Sequence, residues 1–207
     1  MLRASPLFPA RVLLLLLVLA ALCVTAYAQA PASTNQRLSL SAALVLTPEF
    51  CATKVVKKYA GTFHLPPETF EIGKAACTEL EPALMGVFLS LARVDAESSS
   101  GDAQVLLLPR IADVNSTDPK SLRTKREMVV LLEWTVKDKS GKTVWLETVQ
   151  GSATHVVGHG LRVSSIPVYL ALTIEDLMRN AAELSASKMS SSAELQKLAS
   201  GASITSK

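Results

Sequence analysis

Glu127 to Lys137 reads EMVVLLEWTVK, Lys142 to Thr154 reads KTVWLETVQGSAT, and Asp138-Lys139-Ser140-Gly141 joins them. Both arms are rich in β-branched and apolar residues and the joint is a run of turn formers, so the segment reads as a β-hairpin. A type I turn through Lys139 and Ser140, with Gly141 in the left-handed region, places Asp138 opposite Lys142. In that register Val136 meets Val144, Trp134 meets Leu146 and Leu132 meets Thr148 on the core face. The other face carries Leu131, Thr135, Trp145 and Val149, and it sets Glu133 against Glu147, a like-charge pair that counts against the register but not against the hairpin.

Upstream, Gln104 to Val114 (QVLLLPRIADV) is too apolar for a surface strand and reads as a central one, with Pro109 marking a bulge or an unpaired edge. Asp95 to Asp102 is a polar loop. Between Phe70 and Ala92, the residues Ile72, Ala76, Leu80, Leu84, Phe88 and Leu91 recur at three- and four-residue spacing, which predicts one long helix. Pro82 inside it predicts a kink or restart near Glu81. Phe50 to Glu68 holds glycine and two adjacent prolines and reads as an irregular connection. Ahead of it, Leu38, Leu40, Ala42, Leu44 and Leu46 alternate as in a half-buried strand that Pro48 ends.

Downstream, His155 to Ser165 is broken by glycines. A second helix follows, with Ser165 as cap, Pro167 in the first turn, and Val168, Ala171, Ile174, Leu177, Met178, Ala181 and Leu184 as its apolar stripe. The order strand, helix, strand, hairpin, helix predicts a single α/β domain over residues 38–186: a mixed sheet of about four strands with two main helices packed on it. Parallel pairing of the first two strands would require a right-handed crossover. Residues 29–37 read as a disordered lead-in and 187–207 as a flexible tail rich in serine and alanine.

Residues 1–28 read as a signal peptide. Arg3 and Arg11 supply the positive start, Val12 to Leu22 the apolar run, and Ala26-Tyr27-Ala28 a small-x-small cleavage site. The run is short of the roughly 20 residues that span a membrane. Lipid attachment at Cys23 is disfavoured, because the residue ahead of it, Leu22, is large where a small one is needed. The expected location is therefore exported, in the periplasm or secreted. Of a net charge of +3, two positives leave with the leader, and the nearly neutral remainder gives no electrostatic reason to bind nucleic acid.

Of the three cysteines, Cys51 and Cys77 remain after cleavage. In an oxidising compartment they are expected to form a disulfide closing a loop of about 26 residues, with two buried thiols as the alternative. The three histidines offer one pair at four-residue spacing, His155 and His159, but the H-V-V-G-H-G context opposes a helix and lacks an acidic residue, so solvated loop residues are expected rather than a metal site. His64 reads as a loop residue. No nucleophile elbow or phosphate loop is present, so no catalytic residue and no cofactor is assigned. Asp113, at the end of an apolar strand, is the carboxylate best placed for a site. Lys54, Lys57 and Lys58, flanked by Arg37 and Lys74, form a candidate patch for an anionic partner, against the plainer reading of a solvated loop. Asn115-Ser116-Thr117 is a glycosylation acceptor in a eukaryotic host.

The segments F-E-I-G-K-A-A (Phe70–Ala76), V-F-L-S-L-A-R-V (Val87–Val94), Q-V-L-L-L-P-R-I (Gln104–Ile111) and the D-K-S-G-K turn (Asp138–Lys142) resemble small bacterial envelope proteins of the YajG, CsgG, LpoB and TolB N-terminal kind. The resemblance spans Leu38 to Ala186 and implies a non-enzymatic α/β module of envelope assembly or maintenance. Cys23 departs from the lipid site of that group, and no active-site residue carries over. The expected function is thus a non-catalytic exported interaction module whose partner is another envelope protein. Membrane association without a transmembrane helix is compatible with it. Two alternatives stand beside it: an exported hydrolase assembled from Asp113, His155 and His159, or a carrier of an apolar ligand, which requires a cavity of some hundreds of Å³.

Overall fold

In the computed structural model, which describes residues 37–57, 67–116, 125–156 and 166–202, the chain forms β1 (Leu38–Val45), α1 (Pro48–Cys51), β2 (Val55–Lys57), β3 (Glu68–Phe70), α2 (Ile72–Leu84), β4 (Phe88–Val94), β5 (Val105–Ser116), β6 (Lys125–Asp138), β7 (Thr143–Val156), α3 (Ile166–Ser191) and α4 (Ala193–Ala202). One mixed sheet of five strands runs in the order β4-β1-β5-β6-β7. β1 lies parallel to both of its neighbours, and the remaining pairs are antiparallel. β2 and β3 form a separate small ladder. The domain is the mixed α/β layer expected, with one strand more.

That strand comes from the end of the expected long helix. α2 stops at Leu84, and Phe88–Val94, read from the sequence as the last turns of that helix, pairs with β1 instead. Apolar residues at 84, 87, 88 and 91 keep the helical spacing, so local pattern points to helix and tertiary pairing overrides it. The open side of β1 decides: Leu38 N–H donates to the Val87 carbonyl at 2.7 Å and Leu46 N–H to that of Val94 at 2.9 Å, groups that would otherwise be left without partners in the interior. Pro82 falls in the last turn of α2, so the expected kink becomes simply the approach to the helix end.

In the connection read from Phe50 to Glu68, the described residues 50–57 are more ordered than composition suggests. The Thr47 hydroxyl caps α1 by accepting from Phe50 N–H at 3.1 Å, with Pro48 in the first turn, and β2 follows. In β5, Pro109 lies beyond the three residues paired with β1, where the strand has a neighbour on one side only, and a residue without a donor is tolerated there. The bulge falls slightly further on, between Ile111 and Asp113.

The hairpin turn is as expected. Asp138 N–H donates to the Lys142 carbonyl, Gly141 N–H returns to Asp138, both at 2.9 Å, and Gly141 has φ +82°. The arms differ. Lys137 faces Thr143 while Val136 faces Trp145, so Val144 is an extra residue and every later pair shifts by one. Trp134 then faces Glu147, Leu132 faces Val149 and Val130 faces Gly151. The shift turns Trp145 and Val149 into the core and leaves Leu146 69% exposed. It also removes the like-charge conflict: Glu133 faces Thr148 and pairs with Arg110, while Glu147 pairs with Lys188 of α3.

The core lies between one sheet face and the helices. Leu38, Leu40, Ala42 and Leu44 of β1, Val105 and Leu107 of β5, and Met128, Val130, Leu132, Trp134 and Val136 of β6 pack against Ile72, Leu80 and Leu84 of α2 and Leu177, Met178 and Ala181 of α3. Residues 187–202 do not trail off as expected. α3 continues to Ser191, and α4 places Leu195 and Ala199 in the same core. Ser192 makes this possible by capping α4, accepting from Leu195 N–H at 3.3 Å. The expected leader, the expected lead-in up to residue 36 and the expected cap at Ser165 lie outside the described residues.

Candidate functional site

The corner formed by α1 and the start of α2 holds the two cysteines. Cys51 ends α1, Cys77 lies midway along α2, and they are joined by a disulfide with Cα atoms 5.7 Å apart. The two helices meet so closely that a Cβ on Gly73 would stand 2.1 Å from the Phe50 carbonyl oxygen, and Gly73 N–H donates to the Thr53 carbonyl at 3.0 Å. An Arg93 guanidinium nitrogen lies 3.7 Å from the Cys51 sulfur. The bond therefore pins a tightly packed joint.

Of the lysine patch next to this corner, Lys54 is engaged by Glu71 at 2.9 Å. That hydrogen bond and charge, with a smaller contribution from Lys74, hold the exposed Glu71 carboxyl below its ordinary pKa. Lys57 contributes backbone to β2, and its side chain, with the whole of Lys58, lies outside the described residues. The hydrolase candidates fare similarly. Asp113 is exposed at the β5 bulge and its carboxylate accepts from Val114 N–H at 2.8 Å and from the Asn115 amide at 2.6 Å, which makes it a local turn brace. His155 lies in β7 with its backbone paired to Arg126 of β6; its side chain, His159 and His64 are outside the described residues. Among the described residues, no group of three or more His, Cys, Asp or Glu is placed to hold a metal ion, and no helix is long and apolar enough to cross a membrane.

Two surfaces that sequence reading did not single out are better built. The first is the sheet face opposite the core. Its rows follow from register: Leu108, Thr135 and Leu146 align across β5, β6 and β7, followed by Arg110, Glu133 and Thr148. Leu106, Leu108, Val129 and Leu131 on this face are half-buried and lie outside the core cluster. The ion pair of Lys137 with Glu97, at 2.9 Å, ties the 3-10 turn at Glu97–Ser99 to one end of it. The outer edge of β7 is blunted by α3, since Asn180 accepts from Ser152 N–H at 2.9 Å and the Lys188 ammonium reaches the Thr148 carbonyl at 3.5 Å.

The second is an open groove of about 880 Å³ between α4 and the β6–β7 turn. Half-buried Val144 and Leu198 line its apolar side with Leu40 beneath them, and Lys139, Lys142 and Lys197 stand on its rim. Only α4 closes this groove, so a reading that leaves residues 187–207 as a tail cannot find it. A hollow of about 300 Å³ between the end of α2 and α3 is lined mainly by small residues.

Neither protein-family models nor curated proteins give a match to the sequence. Among solved structures, the chain is similar to a DUF330 protein from Xanthomonas campestris, at 6% identity and a TM-score of 0.49 over 75% of this chain and 88% of that one. It is also similar to a minor lipoprotein from Acinetobacter baumannii, at 12% identity and a TM-score of 0.46 over 74% and 92% of the two chains.

Proposed function

We propose that the chain is an exported, non-catalytic interaction module of the bacterial cell envelope, of the YajG, CsgG, LpoB and TolB kind, which engages another envelope protein through the sheet face opposite the core. The observation that carries this reading is the row Leu108, Thr135 and Leu146 beside the Arg110–Glu133 pair. Apolar side chains around a central ion pair are how a protein surface combines contact area with orientation. The leader and the disulfide support export, since such a bond persists in an oxidising compartment. Nothing in the charge balance calls for nucleic acid, and membrane association would be peripheral.

A photo-crosslinking residue placed at Leu146 tests the reading. The expected result is a specific adduct with an envelope protein, lost on Leu131→Asp, while the same probe at Glu183 on the helix face yields none. Equal adducts from both positions, or none from Leu146, would overturn it. In the same preparation, the amino terminus should be Gln29.

A further inference from the structure

We propose that the groove between α4 and the β6–β7 turn binds a single-chain anionic amphiphile, with the acyl chain on Val144 and Leu198 and the acid group among Lys139, Lys142 and Lys197. This goes beyond the sheet-face reading and does not depend on it. The groove has its apolar side at depth and its charges on the rim, the arrangement that suits a ligand with a tail and a head. Its volume of about 880 Å³ lies within the range of about 300–1,000 Å³ typical of small-ligand sites.

Charge selects the head group. Two carboxylates also border the groove, but both are committed. Asp138 accepts from Ser140 N–H at 2.8 Å, from the Ser140 hydroxyl at 2.6 Å and from Lys142 N–H at 3.1 Å, which builds the turn. Glu194 accepts from the Ser192 hydroxyl at 2.8 Å, within the α4 cap. Among the described residues, the ammonium groups of Lys139, Lys142 and Lys197 form no hydrogen bond or close ion pair, although the Lys142 charge helps to hold the Asp138 carboxyl below its ordinary pKa, whereas Lys54, Lys137 and Lys188 elsewhere are all paired. Lysines act as compact point charges with free rotation, so three of them accommodate a carboxylate or a phosphate alike without demanding one geometry. Fatty-acid anions and lysophospholipids share this chemistry. An apolar floor beside a cationic rim suits a ligand with one apolar tail and one acid group over an extended acidic peptide, whose charges are spread along its length.

Titration of the full purified protein, followed by native mass spectrometry and by the fluorescence of Trp145 beside Val144, tests the proposal. Lysophosphatidylglycerol and palmitate are both expected to bind one to one below their micellar concentrations, and lysophosphatidylcholine at least tenfold more weakly. Inorganic phosphate should not compete. The triple variant Lys139→Gln, Lys142→Gln, Lys197→Gln removes only exposed charges and should weaken the two anionic ligands at least tenfold with an unchanged melting temperature. Leu146→Glu, on the sheet face, should leave binding intact. Equal binding of the zwitterionic lipid, full competition by phosphate, displacement by an acidic peptide at equal affinity, or an unaffected triple variant would each overturn the proposal.

Discussion

Gly151 of β7 and Ala181 of α3 approach so closely that a Cβ on the glycine would stand 2.5 Å from the alanine Cβ, and 2.9 Å from its backbone nitrogen. The absent side chain is what lets α3 lie down on the hairpin, directly over the pair that Gly151 makes with Val130. Gly151→Ala should therefore lower stability by about 1–3 kcal/mol, the usual cost of overpacking. Urea unfolding checks this, and a double-mutant cycle with Ala181→Gly should show a favourable coupling. Additive effects would mean that helix and strand are not in contact there.

Trp134 is fully buried and its indole N–H donates to the Ser185 hydroxyl at 2.8 Å, which in turn donates to the Ala181 carbonyl at 2.7 Å. Ser185→Ala leaves that N–H without a partner in the core and should cost about 1–3 kcal/mol. Replacing the indole as well, with Trp134→Phe, opens a cavity but removes the orphaned donor. The double variant should thus be less destabilised than the sum of the two single ones. A strictly additive pair of melts would place the hydroxyl elsewhere.

Cys51→Ala should lower stability by about 2–4 kcal/mol through the freed loop, without loss of the sheet-face adduct. In the unreduced native protein neither thiol should react with an alkylating agent. Gly73→Ala, a few residues away, should be destabilising on its own account because the Phe50 carbonyl occupies the space. Alkylation of both cysteines before reduction would refute the bridge.

At the hairpin turn, Gly141→Val places a β-branched residue at φ +82° and should cost about 1–2 kcal/mol. The turn also carries a pH signature. Asp138 titrates below its ordinary value of 3.8, chiefly because the Ser140 hydroxyl and the turn N–H groups favour its charged form. A depressed carboxyl pKa stabilises the fold above the unfolded value and loses that contribution as pH falls through the folded one. Melting temperature measured from pH 5 to pH 2 should fall less steeply in Asp138→Asn than in the parent, and identical slopes would exclude the turn as a contributor.

The parts legible in the sequence share one property, that their pattern is local. The alternation from Leu38 to Leu46, the D-K-S-G-K turn with its glycine, and the stripe Ile174, Leu177, Met178 and Ala181 each follow from residues within two or three turns of one another. The pairing of Cys51 with Cys77 follows from composition once Cys23 is set aside with the expected leader. The clash of Glu133 with Glu147 was legible too, as a sign that the register needed correcting, though not of how.

What only the tertiary structure decided depends on groups far apart in the chain. Whether Phe88 to Val94 is helix or strand rests on the open backbone of β1, some 50 residues earlier. The bulge at Val144 is set by which face of β7 can meet α3, where Gly151 admits Ala181. The fate of residues 187–202 depends on a space between β1 and β7 that exists only once the sheet is formed, and the groove exists only once α4 fills part of that space. Local pattern determines what an element can be; the unsatisfied backbone and the unfilled volume of its neighbours determine which of those it becomes.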